Sequence, residues 1–251
     1  ISFQPAELAK LAFIIYLSAF FSKKKAFLPF AVLTCVLVAL IMLQPDLGTA
    51  VILTVSGLII YFVSGASIVL LAGVSLVGFA SALVMILLSS YRKQRLLTFF
   101  NPDKDPLGAS YHLRQILLAL GSGGLFGLGL GQSRQKYNYL PAATTDSIFA
   151  VIAEEVGFIG AAVVIIAFLF YIYKALMIAK QAPDKFGMLL AVGIASWIGV
   201  QALINLAVIV SLVPLTGTPL PFISYGGSSL VLVLAASGIL VNISRQKVIR
   251  K

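Results

Sequence analysis

The chain has 251 residues, of which 60% are hydrophobic and 10% are charged, and its formal net charge is +10. At a mean hydropathy of +1.06, a soluble fold would be covered by apolar surface, so an ordinary soluble protein is excluded. The positive charge does not indicate nucleic-acid binding, because the basic residues collect between apolar segments, where anionic lipid headgroups and topology account for them.

Seven stretches of nearly uncharged residues follow one another, each close to the length of a helix that crosses a bilayer core. They cover residues 5–21, 27–43, 47–64, 68–89, 156–178, 186–210 and 227–243. The runs are too long and alternate too little to be barrel strands. The sequence therefore predicts an all-α polytopic membrane protein that forms one domain over residues 1–251. Its single cysteine, Cys35, lies in the second stretch, which excludes disulfides.

Basic residues mark three connections as cytoplasmic under the positive-inside rule. They are Lys23, Lys24 and Lys25, then Lys174, Lys180 and Lys185, and finally Arg245, Lys247, Arg250 and Lys251. Strict helix alternation then places the long loop at 90–155 and the 213–229 segment on the outer face. Because the chain begins at Ile1 on that same face, an odd number of spans is expected upstream of it if the N-terminus of the intact protein is cytoplasmic.

The loop at 90–155 is the one long polar segment. Its cations are Arg92, Lys93, Arg95, Lys104, Arg114, Arg134 and Lys136. A solvated loop with chance charges is one interpretation, and binding of an anionic substrate at the membrane surface is the favoured one. Two apolar parts, Tyr111–Leu120 and Ser147–Ile152, are expected to lie in the interface or to re-enter the membrane.

A glycine-rich stretch, Gly121–Gly131, lies within this loop. It fits no nucleotide-binding motif and follows no strand. A tightly turned entry to the membrane surface is the favoured interpretation, and a backbone nest for an anion is the alternative. Residues 132–136 supply two cations and several donors directly afterwards, which suits a pyrophosphate group.

Asp146 precedes an apolar helical stretch, and by its position alone it is best interpreted as a helix cap. On a helix, Glu154 would fall about 80° away from it and Glu155 about 180° away, so the pair with Glu154 is weak evidence for two-carboxylate catalysis. His112 is the only histidine. A metal site built from several histidines is therefore excluded.

Further polar features lie at the ends of the spans. Glu7 and Lys10 form either a helix-surface ion pair or a functional pair at the membrane boundary, and neither interpretation is favoured. Pro45 and Asp46 are typical of a helix start. The prolines and glycines before the last span predict non-helical backbone over residues 216–229, which must line a cavity or be covered by protein. Asn205, within a span, should face inward and find a partner.

Four motifs together resemble the FtsW/RodA/SpoVE (SEDS) family along the whole chain. They are Gln4-Pro-Ala-Glu-Leu-Ala-Lys10, Gln44-Pro-Asp-Leu-Gly-Thr49, Gly121–Lys136 with Tyr139-Leu-Pro-Ala-Ala-Thr-Thr-Asp146, and Pro219-Leu-Pro-Phe-Ile-Ser-Tyr-Gly-Gly-Ser-Ser229. The 131–136 and 222–229 strings look more like the division branch of the family than the elongation branch. Members have ten spans, which implies that the first three are missing here.

The resemblance implies a peptidoglycan glycosyltransferase of the bacterial cytoplasmic membrane, which polymerises lipid II on the outer face with a class B penicillin-binding protein and divisome proteins as partners. The family's essential loop carboxylate maps onto Asp146, and its important first-span Glu and Lys map onto Glu7 and Lys10. The chain departs from the common pattern at Ala142, Thr144 and Ser147, which puts auxiliary contacts in doubt.

The resulting hypothesis makes Asp146 the general base that deprotonates the acceptor sugar hydroxyl. Further expected contacts of the undecaprenyl-pyrophosphate-linked substrate are Glu7, Lys10, Gln132, Ser133, Arg134, Lys136, Thr145 and Ser224, with Arg134 and Lys136 assigned to the pyrophosphate. A divalent cation, Mg²⁺ or Mn²⁺, could assist, although no dedicated ligand set is visible. The competing hypotheses are a lipid II flippase and a non-catalytic scaffold for the transpeptidase.

Overall fold

A computed structural model describes residues 4–24, 26–44, 46–100, 110–135 and 143–246 of the chain. Within these ranges it contains nine helices and no strand, so the predicted all-α class is confirmed. The helices are α1 (Pro5–Lys23), α2 (Phe27–Met42), α3 (Leu47–Val63), α4 (Ile68–Leu88), α5 (Ser90–Phe100), α6 (Tyr111–Ser122), α7 (Ile148–Lys180), α8 (Lys185–Ile209) and α9 (Gly227–Arg245).

Each of the seven predicted apolar stretches coincides with a helix, and α5 and α6 are two additional helices within the predicted loop. Among the described residues, four helices are long and apolar enough to cross a membrane, namely α1, α7, α8 and α9. The helices α2 and α3 have 16 and 17 residues. At 1.5 Å per residue they measure about 25 Å, slightly less than a hydrocarbon core of about 30 Å.

The start of α3 shows why this helix begins where it does. The Asp46 carboxylate accepts a hydrogen bond of 2.9 Å from the backbone N–H of Thr49 and one of 2.7 Å from its hydroxyl. A carboxylate at this position satisfies an otherwise unpaired N–H and interacts favourably with the helix dipole. The predicted helix start at Asp46 is therefore confirmed, while Pro45 lies outside the described residues.

The chain divides into two compact units. The first comprises residues 1–71, 168–202 and 226–251, and the second comprises 72–167 and 203–225. In the first unit, α1 packs against α3 and α9. Its core contains the rings of Phe21, Phe30 and Tyr61, whose centroids lie 5.2–5.7 Å apart. The part of α8 in this unit is deeply buried around Trp197 and Ile198.

In the second unit, the amphipathic helix α6 buries Leu113, Ile116 and Ala119. The helix α7 is broken near its start, because Gly157 has φ 71° and ψ −171°. The residues from Phe158 to Lys180 still measure about 35 Å at 1.5 Å per residue, enough for a membrane span. Residues 210–226 between α8 and α9 are not helical, and α9 begins at Gly227, where the seventh apolar stretch is predicted to begin. Only residues 227–229 of the predicted non-helical segment are helical instead.

Candidate functional site

Asp146 lies in the turn that leads into α7, in the second unit. The first backbone hydrogen bond of the helix runs from the N–H of Ala150 to the carbonyl of Ser147. Within the described part of the chain, the Asp146 carboxylate accepts one hydrogen bond, 3.1 Å long, from the hydroxyl of Thr145. The carboxylate therefore does not cap α7 there, and it keeps lone pairs for another proton or donor.

Three successive carbonyls of this turn accept hydrogen bonds from the residues that precede α9 or end α8. The backbone N–H of Tyr225 donates to the carbonyl of Thr144 over 2.8 Å. The Ser224 hydroxyl donates to the carbonyl of Thr145 over 2.5 Å. The Asn205 amide donates to the carbonyl of Asp146 over 2.8 Å. We call these three bonds the carbonyl clamp, and they fix the backbone that carries the carboxylate.

The donors of the clamp are themselves held in place. Asn205 is buried, and its amide nitrogen also donates to the carbonyl of Thr218 over 2.8 Å. Ser224 accepts a 2.7 Å hydrogen bond from the N–H of Leu220. The prediction that Asn205 would find a partner is confirmed. Its role in holding Asp146 was not predicted, because the two residues are 59 positions apart.

The turn next to Ser224 contains an unusual backbone conformation. Phe222, which is not a glycine, has a φ of 66°. A bulky residue in this left-handed region costs about 1–3 kcal/mol, and such strain persists where the surrounding structure imposes it. Here it accompanies the turn that places Ser224 against Thr145.

A polar wall adjoins Asp146. The Nε2 atom of His112 lies 2.8 Å from the hydroxyl oxygen of Ser147. The guanidinium of Arg95 donates over 2.8 Å to the carbonyl of Leu215. Both side chains line a cavity of about 300 Å³. Its lining residues are Gln94, Arg95, Thr98, Phe99, His112, Leu113 and Leu215.

This cavity combines features that suit a polar, ring-shaped ligand. It offers an aromatic ring, a guanidinium, an imidazole, an amide and a hydroxyl group. Its volume lies at the lower end of the range of about 300–1,000 Å³ for small-molecule sites.

Partial burial lowers the pKa of His112 below its ordinary value of 6.5, and the nearby positive charge of Arg95 acts in the same direction. The negative charge of Asp146 opposes both effects by stabilising the protonated ring. His112 is therefore neutral at pH 7, with one ring nitrogen available as a donor and the other as an acceptor.

Glu154 takes part in a different contact. It is buried and accepts the Ser133 hydroxyl over 2.5 Å and the backbone N–H of Arg134 over 3.2 Å. Glu155 accepts the backbone N–H of Ser133 over 3.3 Å. The carboxylate of Glu154 thus holds residues 133 and 134 against α7.

The predicted substrate contacts differ in accessibility. The side chains of Gln132 and Arg134 are exposed, whereas Ser133 and Ser224 are buried. Thr145 is half-buried beside Asp146, and Lys136 lies outside the described residues. The exposed pair remains a predicted binding surface. Substrate contact by the two buried serines also stays a prediction, although their hydroxyls are engaged within the protein.

The glycine-rich stretch forms backbone hydrogen bonds around the break at Gly157. The N–H groups of Leu128 and Gly129 donate to the carbonyls of Glu154 and Glu155, each over 3.0 Å. The N–H of Phe158 in turn donates to the carbonyl of Gly124 over 2.9 Å. These pairs satisfy polar groups that the interrupted helix would leave unpaired. The tightly turned interpretation is thereby favoured over an anion nest, because these N–H groups are occupied.

Glu7 and Lys10 form a buried network in the first unit. Their 2.8 Å ion pair is 2% and 1% exposed. Lys10 also donates to the side-chain oxygen of Gln201 over 2.8 Å. That oxygen accepts the indole N–H of Trp197 over 2.9 Å, and the Lys10 ammonium lies 5.3 Å from the Trp197 ring centroid. A helix-surface ion pair is therefore ruled out, since the pair is enclosed between α1 and α8.

The described residues contain no cluster of three or more His, Cys, Asp or Glu side chains that could hold a metal ion. Next to Asp146 the oxygen donors are one carboxylate and the hydroxyl of Thr145, while the carbonyls of the turn are occupied by the clamp. Among the described residues this set is too small to form a complete protein cage for a hard divalent cation, and Mg²⁺ bound through one carboxylate would take its other ligands from substrate phosphates and water.

Several residues of the site escape sequence reasoning. The sequence indicates Arg95 only as one of the loop cations and gives His112 no role, yet both line the cavity near Asp146. The sequence does not indicate that Trp197 and Gln201 contact Lys10, because each is only a polar or amphipathic residue within a span. Such residues must find internal partners in lipid, and that rule is the one signal available before the fold is known.

The apolar helices define an integral membrane protein. The carboxylate of Asp146 lies in a turn between its helices. The chain belongs to the FtsW/RodA/SpoVE family of cell cycle proteins, whose model matches residues 1–249. This membership confirms the family resemblance of the motifs.

Known relatives agree with this assignment. The chain is 43% identical to stage V sporulation protein E of Bacillus subtilis, over 97% of this chain and 69% of that protein. It is 41% identical to the "Probable peptidoglycan glycosyltransferase FtsW" of Trichlorobacter lovleyi, over 96% of this chain and 65% of the relative. The chain thus spans about two thirds of the length of these relatives.

The solved structures with a similar fold include a peptidoglycan synthase complex and a RodA protein. A peptidoglycan synthase complex that coordinates polymerization and crosslinking aligns with a TM-score of 0.76 and 30% identity, over 98% of this chain and 70% of that one. The rod shape determining protein RodA of Thermus thermophilus aligns with a TM-score of 0.65 and 30% identity, over 98% and 67%.

Proposed function

We propose that the protein is a peptidoglycan glycosyltransferase that polymerises lipid II at the outer face of the bacterial cytoplasmic membrane, for septal synthesis in cell division. The observation that carries the proposal is the geometry of Asp146. Its backbone is fixed by the carbonyl clamp, while its carboxylate accepts one described hydrogen bond, from Thr145. A rigidly placed carboxylate with free lone pairs suits proton abstraction. Relatives named as probable peptidoglycan glycosyltransferases supply the reaction class.

In the proposed reaction, the Asp146 carboxylate takes the proton from the 4-hydroxyl of the acceptor sugar. That oxygen attacks the anomeric carbon of a lipid-pyrophosphate-linked glycan and forms the new C–O bond. The bond between this carbon and the pyrophosphate oxygen breaks, and the lipid pyrophosphate leaves with the electron pair. Pyrophosphate is a stable leaving group, so one carboxylate is sufficient and a second carboxylic acid is not required.

The neighbouring groups have distinct proposed roles. The cavity lined by Phe99, Gln94 and His112 holds a sugar ring beside the base. Arg134, which is exposed, and Lys136 interact with the pyrophosphate as charge develops on it. The buried Glu7–Lys10 pair maintains the helix packing of the first unit. A class B penicillin-binding protein is the proposed partner, in keeping with the polymerization and crosslinking functions of the similar synthase complex.

The Asp146→Asn variant of the full-length protein tests the proposal, in a polymerisation assay with purified lipid II. Asparagine keeps the shape and cannot act as a base, so we expect turnover to fall by at least about 100-fold, the lower end of the contribution of general base catalysis. The melting temperature should stay close to that of the wild type. Glycan synthesis by this variant at the wild-type rate would refute the role of Asp146.

A lipid II flippase is the second candidate function, and the buried ionic pair Glu7–Lys10 in an apolar helix is the observation in its favour. A reconstituted flipping assay on Asp146→Asn and Lys10→Met separates the two functions. Flipping that depends on Lys10 and survives Asp146→Asn, without any polymerisation by the wild type, would support transport. A scaffold without activity would show neither reaction and would still recruit the transpeptidase.

A further inference from the structure

The loop that carries the proposed active site also exposes large apolar side chains. Phe126 and Leu130 are each 80% exposed, and Leu125 is 62% exposed. Leu117 and Leu118 on α6 are exposed as well. We call these five residues the apolar loop surface. Monomeric proteins in water rarely expose a group of this kind without a partner.

This surface is held in a fixed place. The carbonyls of Gly124 and Leu125 accept hydrogen bonds from the N–H groups of Phe158 and Ile159, over 2.9 and 3.3 Å. The N–H groups of Leu128 and Gly129 are paired with the carbonyls before the break in α7. Because the backbone is bonded on both sides of Phe126, this side chain is presented outward by a rigid turn.

The same hydrogen bonds set the position of the loop relative to the span. Phe158 and Ile159 are the first residues after the break at Gly157, and the apolar helix from there to Lys180 can cross the bilayer. Both side chains are exposed, and so are Val163 and Ile166 further along. The segment that carries Leu125 and Phe126 is therefore bonded to the backbone at which this exposed apolar span begins.

We propose that the apolar loop surface inserts into the acyl-chain region of the bilayer, with Leu125, Phe126 and Leu130 as its deepest side chains. Backbone at this depth is tolerated only when its polar groups are satisfied internally, and the pairing with residues 154–159 provides this. The partner of the surface is bulk phospholipid. Insertion there would hold α6, with His112 on it, at the membrane surface whether or not the proposed catalysis is correct.

Depth-dependent quenching tests this inference. In the full-length protein with Cys35→Ser, which removes an exposed native thiol, a single cysteine at Phe126→Cys is labelled with an environment-sensitive fluorophore. The protein is reconstituted into phosphatidylcholine–phosphatidylglycerol vesicles with quenchers at defined acyl-chain depths. Ile166→Cys, on the exposed face of α7, is the lipid control, and Gln181→Cys, in the turn after α7, is the aqueous control.

We expect the probe at position 126 to resemble that at 166, with strong quenching by acyl-chain quenchers and several-fold weaker quenching by iodide than at 181. Leu130→Cys should give the same pattern, and it serves as the second variant if Phe126→Cys does not fold. Quenching by iodide at the level of position 181 would overturn the proposal, since the surface would lie in water. Protection from both quenchers would overturn it too, because a protein segment or a second copy would then cover the surface.

Discussion

The side-chain amide of Asn205 donates a 2.8 Å hydrogen bond to the main-chain carbonyl of Asp146, across 59 positions of sequence. The same nitrogen donates to the carbonyl of Thr218. One buried amide thus connects the end of α8, the Asp146 turn and the segment before α9. The position of the proposed base depends on these contacts, although Asn205 itself has no described contact with the carboxylate.

Replacing Asn205 by alanine should impair turnover more than binding. The change leaves two carbonyls without their donor, and an unsatisfied buried polar group costs about 1–3 kcal/mol. We expect a lower melting temperature and a fall in kcat of about 10-fold or more, since a misplaced base loses part of the proximity contribution. The KM for lipid II should change little. Steady-state polymerisation kinetics at several substrate concentrations separate these effects.

Ser196→Ala is the matched control for this variant. Ser196 lies on the same helix, and its hydroxyl donates within the helix to the carbonyl of Val192 over 2.7 Å. Both variants remove one hydrogen-bonding side chain from α8, but only Asn205→Ala disturbs the Asp146 turn. Equal kcat values for the two variants would contradict the positioning role.

Ser224 offers a second test of the clamp. Its hydroxyl donates to Thr145 and accepts from Leu220, and the side chain is buried. Ser224→Ala should therefore lower the free energy of unfolding by about 1–3 kcal/mol, and with it the melting temperature. We expect kcat to fall as well, because the turn that carries Asp146 loses one of its hydrogen bonds. A rise in the KM for lipid II with unchanged stability would instead support the sequence-based assignment of Ser224 as a substrate contact.

The sequence was sufficient for the apolar helices, because a span in lipid requires a long uncharged run that is visible without any tertiary information. It was insufficient for Asp146. A carboxylate before a helix is usually a cap, and only the family resemblance assigned it a chemical role. That its side chain does not cap α7 depends on the hydrogen bond from Ala150 to Ser147, a detail that no pattern specifies.

The sequence also does not predict which residues surround Asp146. Arg95, His112 and Asn205 come from three separate elements, and their approach to the turn is a long-range property of the fold. Glu7 and Lys10 were identified as a pair by their spacing of three. Their enclosure by Trp197 and Gln201 required the packing of α1 on α8, which spacing within one helix cannot indicate.

Removing the charge of Lys10 should destabilise the protein strongly. In Lys10→Met, the Glu7 carboxylate stays buried without its cation, and such a loss costs about 3–5 kcal/mol. The double variant Glu7→Leu/Lys10→Met removes both charges, so we expect it to be more stable than the single variant. Thermal unfolding in detergent, monitored by circular dichroism, gives the comparison. A double variant that is less stable than Lys10→Met would show that the pair itself does not explain the effect.

The lowered pKa of His112 predicts that the stability of the folded protein depends on pH in a defined direction. Burial, reinforced by Arg95 and opposed by Asp146, lowers its pKa in the folded state below 6.5. Between that lowered pKa and 6.5 the unfolded chain binds more protons than the folded one, so stability rises with pH there and falls as the solution is acidified. Well above pH 6.5, His112 is neutral in both states, so its contribution to the free energy of unfolding no longer changes with pH.

The variant His112→Gln removes this titration and keeps a side chain that can hydrogen-bond to Ser147. We expect the melting temperature of the wild type, relative to that of the variant, to fall as the pH is lowered from 7.5 towards 5. Differential scanning fluorimetry at several pH values measures the difference between the two proteins, in which shared titrations largely cancel. A difference that is independent of pH would mean that the histidine titrates alike in both states.

Two glycines near the break in α7 should respond to alanine in opposite ways. Gly127 has φ 81°, and a Cβ atom there would meet the Glu155 carbonyl closely. The left-handed conformation alone costs about 1–2 kcal/mol for a residue with a side chain, and the clash would also disturb the backbone bonds to residues 154 and 155. Gly121 lies in α6, and no atom lies within 4 Å of an added Cβ. Gly121→Ala should be neutral or stabilising by up to about 1 kcal/mol, because alanine favours helix over glycine.

We therefore expect Gly127→Ala to unfold at a clearly lower temperature and to lose polymerisation. Gly121→Ala should keep the melting temperature and the polymerisation activity of the wild type. Similar melting temperatures for the two variants would show that the 123–131 segment does not support α7 at its break.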